Sequence, residues 1–440
     1  MDDAAFLVET PSISQDRRTA GIESGNLRLL VSYLPQCQNG SILITTRSRS
    51  AALKLVERRS IIAIEPMDRV DAQALFENKL GRHDLNRDNA AELITELEFM
   101  PLAIVQAAAY IIEREPRYSI REYLQDFQKN DRKRTSLLYH EDANLHRDWE
   151  AKNSILITWQ ISFDHIREIR PSAADLLSLM SFFDRQGIPE ALLRSRDVQR
   201  NSRHDQKEND NNNHSDIEAG YDSNNDEDNR SRSVNDGFEE DLLALRNYSP
   251  ISVNMDGTTF KMHGLVQLAT REWLKASKQQ ERWREQFIKN LNSEFPTGDF
   301  ENWARCQTLF PHAQSAAVQQ PEGQDSSKDW ASILYKAAWY SRTIGKGVDA
   351  EKMSVQAMKV RKTILGQEHN DTVNSMEMVG LAYTFRGKYD AAEPLCRETL
   401  RLREKVLGKE HPHTLMSMNN LASLFKSQGK YSAAASLYEG

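Results

Sequence analysis

The stretch GQEHNDTV, which begins at Gly366, returns as GKEHPHTL at Gly408, 42 residues later. Each copy has the pattern of a helix, a tight turn at Gly-Lys and a second helix, with small residues where helices cross closely. The matched pairs that extend through both copies are His369 with His411, Thr372 with Thr414, Tyr383 with Phe425, Gly387 with Gly429, and Tyr389 with Tyr431. A weaker copy precedes them, with Gly345, Ala350, Met353, Val360 and Leu365 in the same frame. The period predicts an α-solenoid over residues 279–440, with clear repeats from about 330.

The bulk properties of the chain exclude several classes of protein. At 440 residues, with a net charge of −7, it has no basic excess that would indicate nucleic acid or an anionic membrane as a partner. Cys37, Cys306 and Cys396 are far apart and odd in number, which favours reduced core thiols over disulfides or a zinc site. No secretory signal opens the chain, and the longest nearly apolar run, 101–112, is too short to cross a bilayer. We therefore expect a soluble, cytoplasmic protein.

The N-terminal segment reads as part of an α/β module. Helical spacing over 27–34 is followed by the apolar run 42–44 and by a second β-branched run at 61–64. Asp68 is placed to cap a helix that Gly81 ends. The order α-β-α-β-α predicts half of a doubly wound sheet.

Arg47 follows the first predicted strand directly, in GSILITTR. Ligands of open α/β sheets bind outside the carboxyl ends of the strands, where an arginine could reach a phosphate. The alternative reading is a solvated loop arginine, and position alone does not decide between them.

The middle of the chain is helical, with one change of composition. Pro101 suits the first turn of a small, apolar helix. The stretch 196–236 is dominated by Asp, Asn, Ser, Arg and Glu, which predicts a disordered insertion, because it cannot bury enough apolar surface to offset its ordering entropy.

A helix at 238–245 follows, and then two short strands flank Asp256-Gly257, a hairpin signal. Helices followed by such a hairpin indicate a winged helix, here without a basic recognition helix for DNA. Next, Met262-His263-Gly264 opens an amphipathic helix, where His263 could meet a ligand or simply pack.

Together these patterns predict a mostly α, multidomain protein. The predicted segments are a partial α/β remnant of the P-loop NTPase kind (1–82), a helical segment (83–150), a winged-helix-like domain with its insertion (151–275), and the α-solenoid (279–440). The chain stops inside the second helix of its last repeat with no polar capping helix, so we expect it to have been cut short at that end.

Three spaced motifs, taken together, resemble one family. The repeats look like tetratricopeptide repeats of the kinesin-light-chain kind. GSILITTR resembles the arginine-bearing strand of NB-ARC nucleotide switches, and Phe99-Met100-Pro101-Leu102-Ala103 resembles their GLPLA motif, with Phe and Met in place of the usual Gly and Leu. Met262-His263-Gly264 is similar to their MHD motif, with Gly in place of Asp. The order of these motifs resembles fungal NOD-like (STAND) proteins, truncated at both ends.

The resemblance implies a switch that holds ADP when off and ATP when on. By position, Pro101 would pack near the adenine, Arg47 would sense the γ-phosphate and His263 would touch the ADP β-phosphate. The chain departs from the family because it contains no GxxxxGK[ST] motif, and its opening Met1-Asp2-Asp3 resembles only the tail of the Walker B strand. We therefore expect no ATPase activity, no metal site, no certain cofactor and at most weak, vestigial binding of ADP or ATP.

Three functional hypotheses follow. The first is a non-catalytic signalling scaffold of the NOD-like type, which binds a protein or peptide in its tetratricopeptide-repeat groove and, in a full-length protein, oligomerises through its NB-ARC half. The second is an autonomous tetratricopeptide adaptor. The third is an active nucleotide-dependent switch, if the missing N-terminal part is present in the native protein. Convergence of Arg47, Pro101 and His263 on one pocket would separate the first from the second.

Overall fold

The computed structural model describes residues 43–46, 48–64, 66–81, 87–129, 131–138, 155–194, 237–248, 250–255 and 257–439. The predicted helix at 27–34, Arg47, Cys37 and the predicted disordered insertion 196–236 lie outside the described residues.

The described chain is mostly α-helical and multidomain, as the sequence predicted. Its N-terminal helices are α1 (Arg49–Leu55), α2 (Arg69–Leu80), α3 (Arg87–Glu96), α4 (Pro101–Glu113), α5 (Ile120–Lys129), α6 (Asp131–Leu138), α7 (Ile155–Ile169) and α8 (Pro171–Met180). Then follow β1 (Ile188–Pro189), α9 (Glu190–Leu193), α10 (237–247), β2 (Ile251–Val253), β3 (Thr259–Met262), α11 (Gly264–Ala276), α12 (Gln280–Glu294) and α13 (Trp303–Ala317). The last six are α14 (Gln324–Thr343), α15 (Gly347–Leu365), α16 (Asn370–Phe385), α17 (Tyr389–Leu407), α18 (Pro412–Ser427) and α19 (Tyr431–Glu439). Short 3₁₀ turns occur at Arg58–Ser60 and Phe300–Asn302.

Contacts group the chain into two compact units. Unit 1 comprises Met1–Ser178, Asp216–Val253 and Lys261–Trp273, and unit 2 comprises Leu179–Ser215, Asn254–Phe260 and Leu274–Gly440. The predicted winged-helix segment, 151–275, contributes to both units, so its boundaries and those of the other three segments stay predictions.

The core of unit 1 is built around α4. Ala103, Ile104, Ala107, Ala108 and Ile111 are all buried there, since their spacing places them on one side of the helix. The buried side chains that join them come from α2, α3, α5 and α6, and from Leu265, Leu268 and Ala269 of α11. Small alanines on α4 allow these neighbouring helices to approach closely.

The two strands predicted for the N-terminal segment are wrong as far as the described residues extend. Residues 43–46 and 61–64 belong to no strand. Leu43, Ile62 and Ile64 are 86%, 83% and 91% exposed, the opposite of strands buried on both faces. An apolar run becomes a strand only when a neighbour pairs with its backbone, and no described residue pairs with either run. By contrast α2 begins and ends as predicted, with Asp68 accepting from the Asp71 N–H and Gly81 left-handed at φ 66°.

The predicted hairpin is present. The Asn254 N–H donates to the Thr259 carbonyl at 2.9 Å, and the Gly257 N–H donates to the Asn254 carbonyl at 3.0 Å. Gly257 has φ 74°, a conformation that glycine adopts without strain. A third strand that the sequence pattern did not reveal, β1, pairs antiparallel with β3 through Ile188 and Phe260, so the sheet has the order β1–β3–β2.

Within unit 1, polar contacts join the two flanks of the insertion. Arg170, at the end of α7, forms ion pairs with Asp241 and, at 2.7 Å, with Glu240 of α10. The Ser172 hydroxyl donates to the same Asp241 carboxylate at 2.6 Å. The hydrogen bond that Arg170 donates to the Asp241 carboxylate raises the pKa of Arg170 further, so this link stays charged. Helices α7, α8 and α10 are thereby held together across a sequence gap of about seventy residues.

Unit 2 contains the solenoid and the helices that precede it. His312 of α13 is fully buried against the ring of Phe183, and it accepts a hydrogen bond at Nδ1 from the Asp184 N–H at 3.1 Å. Burial lowers the pKa of His312 to about 4, so its ring is neutral at physiological pH. This histidine is a structural element of the core.

The six C-terminal helices form three helix–turn–helix repeats, as the 42-residue period predicted. Gly345, Gly387 and Gly429 turn the chain inside each repeat at φ 85°, 70° and 76°. Gly366 and Gly408 turn it between repeats at φ 88° and 87°. The backbone therefore repeats with the sequence, including in the weaker first copy. The matched histidines His369 and His411 cap α16 and α18 by accepting backbone hydrogen bonds at Nδ1.

Candidate functional site

Two regions of the chain are candidates for function, and the first, around His263, contains predicted site residues. The residue lies immediately before α11, and its Nε2 is 2.8 Å from the Glu98 carboxylate. The same carboxylate accepts the Gly264 N–H at 3.0 and 3.1 Å through its two oxygens. A carboxylate at the amino end of a helix is stabilised by the unpaired N–H groups and by the helix dipole. Glu98 therefore occupies the position at which a helix N-terminus would meet an anion.

The tautomer that a neutral His263 ring adopts follows from its other nitrogen. The Leu265 N–H approaches Nδ1 at 3.3 Å, so Nδ1 acts as the acceptor and the neutral ring carries its proton on Nε2, toward Glu98. A phosphate placed beside this histidine would also lie beside the Glu98 carboxylate, and the two negative charges would repel each other. The anion that His263 faces in this structure is therefore the chain's own Glu98 carboxylate.

Glu98 and Phe99 have φ 53° and 58°, in the left-handed region that non-glycine residues rarely adopt. Phe99 stands where the GLPLA motif has glycine, the residue that adopts this backbone conformation without strain. Two consecutive residues in this conformation turn the chain sharply before α4 and bring the Glu98 side chain to His263. The strain is concentrated at the predicted site.

Pro101 occupies the first turn of α4, where its missing N–H is not needed, and its side chain is exposed. It follows Glu98 by three residues, so the structure places His263 beside the segment that leads into Pro101. Arg47 lies outside the described residues, and the convergence of Arg47, Pro101 and His263 stays a prediction. Within the part of the chain that the structure describes, no cluster of three or more His, Cys, Asp or Glu side chains could hold a metal ion.

The second region is the solenoid, where a matched pair of arginines went unnoticed in the sequence. Arg361 and Arg403 lie 42 residues apart, at the same position of α15 and α17, and both are buried. Arg361 Nη1 donates to the Asp371 carbonyl at 3.1 Å, and Arg403 Nη1 donates to the His413 carbonyl. Each arginine thus ties the second helix of one repeat to the start of the next repeat. Aligning the two copies in full would have revealed the pair.

The partners of these two arginines differ. Arg403 Nη2 donates to Glu377 at 2.7 Å, and the Glu377 carboxylate also accepts from Ser417 at 3.1 Å and Asn420 at 2.9 Å. In the first repeat, the position that matches Glu377 is Tyr335, and the Arg361 guanidinium lies over its ring at 5.0 Å from the centroid. In the third repeat the matching residue is Asn419, which is exposed. We call these three matched positions of α14, α16 and α18 the first-helix face: Tyr335, Glu377 and Asn419.

A cavity of about 280 Å³ lies where the second and third repeats meet, lined among others by Asn374, Arg403, His411 and His413. A second cavity of about 310 Å³ lies beside Arg397, Leu400, Phe425 and Leu437. Both concavities are in the solenoid. The described helices include none that is both long and apolar enough to cross a membrane.

Comparison with known proteins supports the family resemblance and the C-terminal repeats. The tetratricopeptide repeat family matches residues 379–439. A curated relative from Hyaloscypha variabilis, a "nucleotide-binding leucine-rich repeat (NLR)-like protein", is 32% identical over 359 residues, which are 80% of this chain and 32% of the relative. The chain therefore spans about a third of the length of that relative.

Among solved structures, "kinesin light chain nearly identical TPR-like repeats" of Podosopora anserina cover 38% of this chain and 87% of their own, with 17% identity and a TM-score of 0.25. The resemblance that the motifs indicated is confirmed: the chain is related over most of its length to a fungal NLR-like protein and carries tetratricopeptide repeats in its C-terminal part.

Proposed function

We propose that this chain is a non-catalytic signalling scaffold of the NOD-like (STAND) type, which acts in the cytoplasm and binds a partner protein through its tetratricopeptide repeats. The observation that carries the proposal is the first-helix face. Three successive repeats bring matched side chains to one layer of helices, since α14 packs against α16 and α16 against α18. Such a layer offers a partner a surface whose side chains vary while its backbone repeats.

The proposal assigns little role to nucleotide. The chain has no GxxxxGK[ST] motif to cradle phosphates, and Glu98 faces His263 where the family's histidine would meet a phosphate. We therefore propose that ATP hydrolysis is absent and that ADP or ATP binding is lost or residual. Because the chain spans 32% of its relative, a nucleotide-dependent switch in a longer protein is a second proposal, with the same solenoid as its output.

An autonomous adaptor is the alternative to a signalling scaffold. It is favoured by one observation: the repeats form their own hydrophobic clusters, such as the one of Ala392, Cys396, Leu421, Leu424 and Phe425, within unit 2. The two readings differ in whether partner binding depends on the His263 region.

The test uses the full chain as bait in fungal cytosol, followed by quantitative mass spectrometry. Three baits are compared: the wild type, His263→Ala and Asn419→Arg, the last an exposed position of the first-helix face. We expect the same protein to be recovered by the wild type and by His263→Ala, with or without added ATP, and to be lost with Asn419→Arg. Recovery that requires ATP or His263 would favour the switch, and recovery that ignores both changes would contradict binding at the first-helix face.

A further inference from the structure

Glu98 ends α3 in a backbone conformation that is strained for glutamate and unstrained for glycine. The Glu98 N–H donates to the Thr95 carbonyl at 3.0 Å, and the Phe99 N–H donates to the Ile94 carbonyl at 3.2 Å. These two bonds form a Schellman turn, in which the left-handed residue after the helix is usually glycine. Here that residue is Glu98, at φ 53°, and Phe99 is left-handed as well, at φ 58°. Strain that persists at such a position indicates that the Glu98 side chain has a role that glycine cannot fill.

The Glu98 side chain reaches the first turn of α11. Its two oxygens accept the Gly264 N–H at 3.0 and 3.1 Å, and one of them lies 2.8 Å from His263 Nε2. The Glu98 side chain is 15% exposed and that of His263 is 23% exposed, so their contact is largely shielded from water. Shielding strengthens a hydrogen bond to a charged acceptor. The carboxylate therefore supplies, from within the chain, the negative charge that the beginning of a helix favours.

The rest of α11 is held in unit 1 by other contacts. Leu265 and Leu268 are buried in the core around α4, and Arg271 pairs with Asp131 of α6 at 3.1 Å. These contacts lie along the helix, whereas Glu98 acts at its first residue. Removal of the Glu98 carboxylate should therefore free the first turn of α11 and leave the helix in place.

We propose that Glu98 is a built-in anion that latches the first turn of α11 to the end of α3, against the strain of the Glu98–Phe99 turn. While the carboxylate is in place, its bonds to Gly264 and His263 outweigh that strain, so the chain needs no bound ligand to hold this helix end. When the carboxylate is displaced, the turn is free to relax and the first turn of α11 is uncovered. The inference goes beyond the proposed function, because it concerns unit 1 and does not depend on partner binding by the solenoid.

The test is hydrogen–deuterium exchange of the full chain, read by mass spectrometry on a peptide that contains residues 263–268. Glu98→Ala removes the carboxylate and keeps the backbone strain, whereas Glu98→Gly removes both. Asp68→Ala is the matched control, because Asp68 also caps a helix of unit 1, by accepting the Asp71 N–H at 2.8 Å in an exposed position. Each protein is measured in phosphate and in chloride of equal ionic strength.

In chloride, we expect the 263–268 peptide to exchange about tenfold faster in both Glu98 variants than in the wild type, the loss expected for one hydrogen bond to a charged group. The turn at residues 97–100 should lose protection in Glu98→Ala and keep it in Glu98→Gly, because glycine adopts the left-handed conformation without strain.

Phosphate should restore protection of the 263–268 peptide in both Glu98 variants, because it supplies the missing negative charge beside His263. It should leave the wild type unchanged, since Glu98 already occupies the position. The exposed first turn of α2 in Asp68→Ala should gain little protection from phosphate, since exposed charges interact weakly in water.

Equal exchange of the 263–268 peptide in the wild type and in both Glu98 variants would overturn the latch. Failure of phosphate to restore protection, or an equal gain in Asp68→Ala, would overturn the assignment of Glu98 as an anion held beside His263. An equal loss at the turn in Glu98→Ala and Glu98→Gly would contradict the opposing strain. The proposed function fails separately, if the cytosolic capture with the Asn419→Arg bait recovers the same protein as the wild type.

Discussion

The first and second repeats have the same backbone fold, but their matched buried arginines have different partners. In the second repeat the buried Arg403 forms an ion pair with Glu377, and the Glu377 carboxylate also accepts hydrogen bonds from Ser417 and Asn420. In the first repeat the matching arginine, Arg361, meets the face of Tyr335 and two neutral oxygens. The comparison shows that a repeat can keep its fold whether the buried arginine contacts a carboxylate or an aromatic ring.

The largest expected effect comes from removing the carboxylate of the second repeat. Glu377→Ala leaves the Arg403 side chain, only 4% exposed, without its counter-ion, and we expect a loss of about 3 kcal/mol in the free energy of unfolding. Chemical denaturation followed by circular dichroism measures it. Glu398→Gln, at a half-exposed pair with Arg401, is the control and should change stability little. A loss as small as that of the control would mean that the buried Arg403 does not need a carboxylate partner, and that the two repeats do not differ in how they stabilise this arginine.

In the first repeat, the stability contributed by the matched Arg361 should depend on the aromatic ring of Tyr335. Tyr335→Leu keeps an apolar side chain but removes the ring beneath the buried Arg361, and we expect a loss of about 2 kcal/mol. Tyr335→Phe keeps the ring and should retain most of that stability, because the cation contacts the ring face. If both variants lose the same amount in thermal unfolding, the hydroxyl matters more than the ring and the cation–ring contact is not what holds Arg361.

A third difference between repeats concerns Gly380, which stands where the third repeat has Ala422. A Cβ at Gly380 would lie 2.8 Å from Cys396 Sγ, so the sulfur of the second repeat excludes the alanine that helices prefer. We expect Gly380→Ala to be stabilising by about 1 kcal/mol in a Cys396→Ala background and not in the wild type. A double-mutant cycle measures this coupling, and additive effects would refute the steric explanation.

The smallest effect concerns an ion pair that both repeats share. Glu351 pairs with Lys388 at 2.7 Å and its matched residue Glu393 pairs with Lys430 at 2.9 Å. Hydrogen bonds from Lys430 and Arg397 lower the pKa of Glu393 to about 2, below its ordinary value of 4.5. The stability it contributes is therefore present above pH 4.5 and lost as the pH falls toward 2. The pair is partly exposed, so we expect only about 0.5 kcal/mol.

The measurement compares the wild type with Glu393→Gln. Their difference in unfolding free energy should shrink between pH 6 and pH 3, and it should also shrink at high salt. A difference that is independent of pH would show that Glu393 acts through its shape or its neutral hydrogen bonds.

Local signals in the sequence predicted most of the fold. The 42-residue period indicated the helix pairs and their glycine turns, and Asp68 and Asp256-Gly257 indicated one helix start and one hairpin. The strands at 42–44 and 61–64 failed because strand formation depends on a partner that composition does not reveal. The 42-residue period aligns Arg361 with Arg403, but only the structure shows that both are buried and that each donates hydrogen bonds to the next repeat.

The site was harder to predict for the same physical reason. His263 was identified from its motif, whereas its partner, Glu98, lies 165 residues earlier in the chain and carries no motif. Only the folded backbone, with its two left-handed residues, brings that carboxylate to the histidine. Likewise, only the structure shows that Tyr335 and Glu377 are the partners of the matched arginines.

Site-specific photo-crosslinking shows whether a partner binds at the first-helix face. A benzophenone amino acid replaces Asn419 in one full-length chain and Lys409, in the exposed turn between repeats, in another. After illumination in cells, we predict a crosslinked polypeptide from position 419 and none from position 409. Equal crosslinking from both positions, or crosslinking from 409 alone, would contradict partner binding at the first-helix face.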